Sequence, residues 1–160
     1  HYPLRRQRQM CIRDSHTIRQ CFQEKPKKVK AIAKLNEYGA DISTTGLIDF
    51  GNSKRATFDI SFECTRRSEF EAFRPNGRVK CPVVWQQSDK PAKIIINTEN
   101  SGSTEEVVPA ADQFVLEIDH FNKVISSNLL PKLTNEDALW NSKTLEAIQK
   151  SIHTDNWIDI

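Results

Sequence analysis

The sequence predicts an α+β fold: an open-faced, mainly antiparallel β-sheet with helices packed on one face. Three observations predict it. Between Lys28 and Val108, apolar and polar residues alternate in short stretches divided by turn residues, the period of half-buried strands. Beyond Asp112 the apolar spacing becomes four, three and four, one face of a helix. Strands in a run, then helices in a run, place the helices on one side of the sheet. A length of 160 residues suits one domain and is enough to bury a core.

The elements follow in order. His16 to Phe22 reads as the last turns of a helix that ends before Pro26. From Lys28 to Asn36, Val29, Ala31, Ala33 and Leu35 alternate with Lys30, Lys34 and Asn36, a strand interrupted only by Ile32. Asn36 to Gly39 is a turn, Ile42 to Phe50 a second strand, and Gly51-Asn52-Ser53 hairpin chemistry. The clearest strand follows: Ala56, Phe58, Ile60, Phe62 and Cys64 face one way, and Arg55, Thr57, Asp59, Ser61 and Glu63 the other. Further strands are expected at Ser68–Phe73, Arg78–Trp85, Lys93–Thr98 and Glu105–Val108, with turns at Pro75-Asn76-Gly77 and Asn100 to Ser103. Asp112 caps a helix whose stripe is Phe114, Ile118, Phe121 and Ile125. Thr134 caps another, with Asp137 at the third helical position as a variant capping box and Ala138, Leu145, Ile148 and Ile152 as its stripe. Trp157 to Ile160 closes the chain as a short strand. The alternation around Phe58, Phe62 and Phe70 favours core packing under the helices over an RNA-stacking platform.

Composition excludes several classes. With 38% hydrophobic residues and a net charge of +2, the chain is no candidate for intrinsic disorder. Its longest apolar runs, such as Ile94-Ile95-Ile96, fall far short of the roughly 20 residues of a membrane span. The charged N-terminus lacks the apolar segment of a secretory signal. The charge is unevenly spread. Residues 1–34 carry ten Lys/Arg and two Asp/Glu, and the rest 13 and 19, which hints at a nucleic-acid-binding arm. Residues 1–15, however, show no helical or strand period, and their QRQMCIRDS stretch resembles translated sequencing-adapter read-through. They are expected to be a non-native leader. Its four Arg and one Asp account for the positive excess, so residues 16–160 stand at −1. Neither nucleic acid nor membrane is an expected partner.

Three blocks then carry a resemblance. The first is Gly46 to Phe50 with Ala56 to Glu63. The second is Arg67 to Gly77, close to R-x-x-(aromatic)-E-x-x-G-x-x-G. The third runs from Pro109 to Phe114, through Glu117 to Phe121, to Pro131-Lys132-Leu133 and Glu136-Asp137-Ala138. In order and spacing they resemble the C-terminal domain of the glucose–fructose oxidoreductase / inositol dehydrogenase (Gfo/Idh/MocA) family, from about His16 to Ile160. Arg74-Pro75 departs from the family's frequent Gly-Thr. The resemblance implies a parent enzyme with a dinucleotide-binding N-terminal domain and an α/β C-terminal domain for substrate and oligomerisation. The parent would use NAD or NADP on a sugar, polyol or related alcohol.

The cofactor half is not legible in these residues. The glycines stand at 39, 46, 51, 77 and 102, so no G-x-G-x-x-G exists to bring backbone close to a pyrophosphate. The chain is therefore expected to be a fragment lacking the Rossmann domain, inactive alone and binding no cofactor. Glu24-Lys25-Pro26 matches the family's E-K-P tripeptide, whose lysine acts near the substrate hydroxyl. Here it precedes a strand with Val29 three residues past Pro26, which matches the family's later P-x-x-V strand entry. Lys25 is thus not expected to be catalytic. Counting back from Pro26, Arg19 and Phe22 match R-x-x-F-x-x-x-P. The family's catalytic histidine then falls on Arg13, inside the leader, and His16 takes its Asp/Asn position. A histidine at 13 would exchange a proton with the substrate hydroxyl. His16 reads as a helix-end polar group.

Other chemistry is absent. Cysteines at 11, 21, 64 and 81 form no C-x-x-C pair. Cys64, on the apolar face of its strand, is expected to be a buried reduced thiol, which suits a cytoplasmic protein. His120 and His153 are isolated, so no metal site is expected, and no G-x-S-x-G elbow occurs. The sequence therefore points to a fragment of an NAD(P)-dependent dehydrogenase, supplying the substrate-side sheet and a homo-oligomer interface through the sheet face. The alternative is a non-catalytic self-association module.

Overall fold

The structure, a computed structural model, describes residues 2–65, 67–84 and 90–160, with only the backbone described along 2–11. In chain order the elements are helix α1 (Tyr2–Phe22), strands β1 (Lys28–Leu35), β2 (Asp41–Gly51), β3 (Lys54–Ser61), β4 (Phe70–Arg74), β5 (Gly77–Cys81), β6 (Ala92–Thr98) and β7 (Gly102–Val108), helices α2 (Gln113–Ser127) and α3 (Asn135–Thr154), and strand β8 (Ile158–Asp159). The α+β class expected from the sequence is borne out, but the strands form two antiparallel four-stranded sheets. The chain divides accordingly into two compact units.

The first unit joins the residues up to Cys64 with Leu133–Ile160. Its sheet has the order β3-β2-β1-β8. Val29 lies opposite Ile48, Ala31 opposite Gly46, and Gly46 opposite Phe58. Alternation sends Val29, Ala31, Ile48, Phe50, Phe58 and Ile60 to one face, where Ile18 of α1 and Ala147 and Ile148 of α3 complete the core. Phe22 closes one end, its ring centroid 4.5 Å from that of Phe50. Gly46 is required there: a Cβ would lie 2.4 Å from the Phe58 ring.

The short strand β8 pairs with β1 only at Lys28 and Val29. Beyond that point a buried hydroxyl substitutes for the ladder. Ser151 Oγ on α3 accepts from Ala31 N at 2.9 Å and donates to Asn156 O at 2.6 Å. These two backbone groups would face one another if the register of the pair continued. A wholly buried serine thus satisfies the sheet edge from the helix.

Helix α1 differs from expectation. It extends through residues 2–15, where the sequence shows no period, and passes residue 15 without a break. Arg, Gln, Leu and Met are good helix formers, and a helix can propagate without an apolar stripe once one end is packed. The packing begins within the expected leader. Ser15 is 2% exposed and donates to Asn141 Oδ1 at 2.7 Å, while Asn141 donates to Ile12 O at 3.3 Å. The helix ends as expected before Pro26, with Gln23 at φ 53° and its N–H bonded to Arg19 O.

The second unit, Thr65–Lys132, carries the sheet β4-β5-β6-β7. Pro75-Asn76 is the expected turn of its first hairpin, which closes with Arg74 opposite Gly77. The strand expected over Arg78–Trp85 is found only as the shorter β5, which ends at Cys81, and Trp85 lies outside the described residues. Asp112 caps α2 as expected, accepting from Phe114 N at 2.9 Å. The stripe of α2 is not core, however: none of its residues is buried. Cys64 is a second correction. Strand β3 ends at Ser61, so the alternation in the sequence outlasts the pairing, and Cys64 is exposed. Phe62, likewise assigned to the core, is 40% exposed. Among the described residues, no helix is long and apolar enough to cross a membrane.

Candidate functional site

Polar side chains concentrate where α1 ends beside the start of α3. Thr134 caps α3 as expected, its Oγ1 accepting from Asp137 N at 3.2 Å. The reciprocal half of the capping box is not made. The Asp137 carboxylate turns to α1 instead, where Arg19 Nη2 and Gln20 Nε2 (3.0 Å) both reach Oδ1. Arg19 Nη1 also donates to Asp137 O at 3.0 Å. His16 Nδ1 stands 3.2 Å from Oδ2. The site suits a carboxylate: N–H groups and the positive end of the helix dipole favour it on one side, and a guanidinium only 7% exposed on the other.

Lys25 lies at the mouth of the same cluster. Its Nζ is 2.6 Å from Glu136 Oε1 and 4.8 Å from the Trp140 ring centroid, where it shares the indole with Lys143. The hydrogen bond and charge of Lys25 hold the Glu136 carboxyl below its ordinary range. A shallow cleft of about 210 Å³ opens between these groups, lined by Arg19, Gln20, Lys25, Glu136, Asp137 and Trp140.

The structure thus brings together the two residues the sequence weighed, His16 and Lys25, by pairing each with a carboxylate of the first turn of α3. Sequence reading missed Asp137 and Glu136 as their partners. The partners lie more than 100 residues away, and the only local signal was the acidic first turn itself. Arg13 is on α1, with Thr17 Oγ1 donating to its carbonyl. The remaining histidines have local tasks. His120 Nε2 accepts from Lys132 N at 3.2 Å, and His153 Nδ1 is 2.7 Å from Gln149 O. Among the described residues, no three His, Cys, Asp or Glu side chains are placed to hold a metal ion.

The face of the first sheet opposite the helices carries paired charges around the exposed Ile32. Lys28 lies 3.7 Å from Asp49, Lys34 2.8 Å from Glu63, and Lys30 pairs with Asp155. Thr45 Oγ1 donates to Asp59 at 2.9 Å. Trp157 stands at the edge under the Lys28 ammonium, 5.1 Å from its ring centroid. The basic strand in the sequence is therefore a row of ion pairs, not a free cationic stripe.

The α+β fold is shared with solved oxidoreductases. It matches aldose–aldose oxidoreductase of Caulobacter crescentus, solved with glycerol, with a TM-score of 0.79 at 16% identity over 93% of this chain and 45% of that one. A 3-ketoreductase of Actinomadura kijaniata, solved with NADP and TDP-benzene, matches with a TM-score of 0.79 at 17% identity, over 89% and 44% of the two chains. In sequence, an uncharacterised oxidoreductase of Rhizobium meliloti is 26% identical over 146 residues, 87% of this chain and 43% of that protein. The chain therefore spans less than half the length of these relatives. No family model matches it.

Proposed function

We propose that these residues form the substrate-side domain of an NAD(P)-dependent oxidoreductase acting on a sugar, polyol or related alcohol. The dinucleotide-binding domain belongs to a further part of the same polypeptide. The observation that carries this reading is the match to less than half of the aldose–aldose oxidoreductase over 93% of this chain. The relatives solved with NADP or glycerol support the cofactor and the substrate class.

The starts of α2 and α3 do not fit the pyrophosphate of a dinucleotide. A pyrophosphate seats on free N–H groups at a helix N-terminus, approached through glycines. The N-termini of α2 and α3 are instead closed by the side chains of Asp112 and Thr134. Glu136 adds a further negative charge at α3. In this reading the nicotinamide, bound by the other domain, supplies the hydride chemistry. His16 ties α1, and Lys25 the segment after it, to the start of α3, and neither carries a proton for the reaction. The sheet face opposite the helices serves self-association, the protein works in the cytoplasm, and neither nucleic acid nor membrane is a partner. The free thiols of Cys64 and Cys81 suit a reducing compartment.

The test is tryptophan fluorescence of the 160-residue chain titrated with NAD(H) and NADP(H). No saturation is expected, and saturable micromolar binding overturns the division of labour. Recovery of the upstream coding sequence should yield a G-x-G-x-x-G unit after a strand; an upstream sequence without one refutes the oxidoreductase assignment.

A further inference from the structure

A cleft of about 230 Å³ lies in the first unit, where β2 turns into β3, on the side of the sheet away from α1 and α3. Alternation brings Leu47 and Asp49 of β2 and Arg55 of β3 to it, beside Lys28 of β1 and Trp157 just before β8. Arg55 stands directly across the β2–β3 pair from Asp49, the position of an ordinary cross-strand ion pair. That pair is not made. Asp49 Oδ1 accepts from Gly51 N at 2.8 Å, and its Oδ2 faces Lys28 Nζ at 3.7 Å. Among the described residues, no other carboxylate forms an ion pair with Arg55. Its guanidinium therefore lines the cleft with its N–H fork unused. Lys28 also sits over Trp157, 5.1 Å from the ring centroid, and so fixes the indole as one wall.

We propose that this cleft binds a small sugar acid. The carboxylate takes the Arg55 fork, and the carbon skeleton lies against Leu47 and the Trp157 indole. An apolar floor with a few convergent polar groups is the usual build of a small-molecule site, and the volume is below the roughly 300–1,000 Å³ that larger ligands fill. A planar guanidinium matches a carboxylate through parallel N–H···O bonds. The charges lining the cleft are two cations, Lys28 and Arg55, against one carboxylate, Asp49, which is already committed to Lys28 and Gly51. The remaining charge suits a monoanion. A phosphate ester, close to a dianion at neutral pH, would bring surplus charge beside Asp49. Asn52 and Ser53 at the hairpin rim offer an amide and a hydroxyl to the hydroxyls of the ligand. The opposite end of the same sheet face, where Ile32 lies across from Thr45 and Thr45 from Asp59, is left for self-association. The proposal does not depend on the oxidoreductase reading.

The experiment is heteronuclear NMR of the 160-residue chain titrated with sodium gluconate, read at the indole N–H resonances of Trp157 and Trp140. Gluconate should shift the Trp157 resonance to saturation and leave that of Trp140, in the α1–α3 cluster, in place. Arg55→Lys keeps the charge and loses the fork, so its affinity for gluconate should fall about tenfold or more. Sorbitol, with the hydroxyls but no carboxylate, should not saturate. No saturable shift of Trp157 overturns the proposal, and the parent chain alone decides this, whatever the stability of the variants. Affinity unchanged in both Arg55→Lys and Arg55→Gln overturns it as well, as does saturation by sorbitol. Saturation by glycerol phosphate without gluconate assigns the cleft to phosphate and overturns the carboxylate. Acetate binding as tightly as gluconate reduces the cleft to a site for any small anion and overturns the sugar.

Discussion

Ser151→Ala removes one oxygen and breaks two bonds at the edge of the first sheet. The Ala31 N–H loses its acceptor at 2.9 Å in a site where Ser151 is wholly buried and Ala31 is 1% exposed. An interior N–H left unpaired costs about 1–3 kcal/mol. The bond from Ser151 to Asn156 O, 2.6 Å long, is worth about 0.5–1.5 kcal/mol more. Alanine returns roughly 0.5 kcal/mol as the better helix former. The expected net loss is centred near 2 kcal/mol. For a chain of this size that lowers Tm by roughly 4–8 °C. The control is Ser142→Ala on the same helix, whose hydroxyl donates to Ala138 O at an exposed position. It should stay within about 0.5 kcal/mol of the parent. The assay is thermal unfolding followed by circular dichroism, paired with amide hydrogen exchange at Ala31. Exchange there should accelerate in Ser151→Ala and not in Ser142→Ala. Equal melting of the two variants, with unchanged exchange at Ala31, would refute the bridging role of the hydroxyl.

Gly46→Ala should destabilise by about 1–3 kcal/mol or more, because its methyl meets the Phe58 ring at 2.4 Å and Lys30 O at 3.1 Å; urea unfolding with and without a compensating Phe58→Leu checks this, and no recovery in the double variant would contradict it. Glu136 has its folded-state pKa lowered by the hydrogen bond and charge of Lys25, so any stability it contributes is present above the unfolded carboxylate pKa and lost as pH falls through the folded one. The Tm difference between parent and Glu136→Gln should therefore shrink toward acid pH, and a difference that grew toward acid would contradict the assignment.

The strands were legible because a sheet with one buried face imposes a period of two. The pair Phe58 and Ile60 faces the core, and Arg55, Thr57 and Asp59 face away. The caps at Asp112 and Thr134 were legible because capping is a local bond. What failed had a physical reason each time. Period alone does not say where pairing stops, so Cys64 was assigned to a strand face that ends at Ser61. A helix without an apolar stripe has no period to read, so α1 was seen only at its packed end. The cluster around Asp137 joins residues more than 100 positions apart, and no spacing rule reaches that far.

The stripe of α2 marks the same limit from the other side. Its spacing correctly predicted a helix with an apolar face, and the face was read as core because most such faces are. Periodicity reports that a face is to be covered, not by what. The stripe of α3 has Ile148 at 3% exposure, whereas the stripe of α2 has Ile118 at 60%. One pattern therefore has two outcomes, and the difference lies in the material available to cover it. In α3 the covering surface is β1 and its neighbours within the first unit.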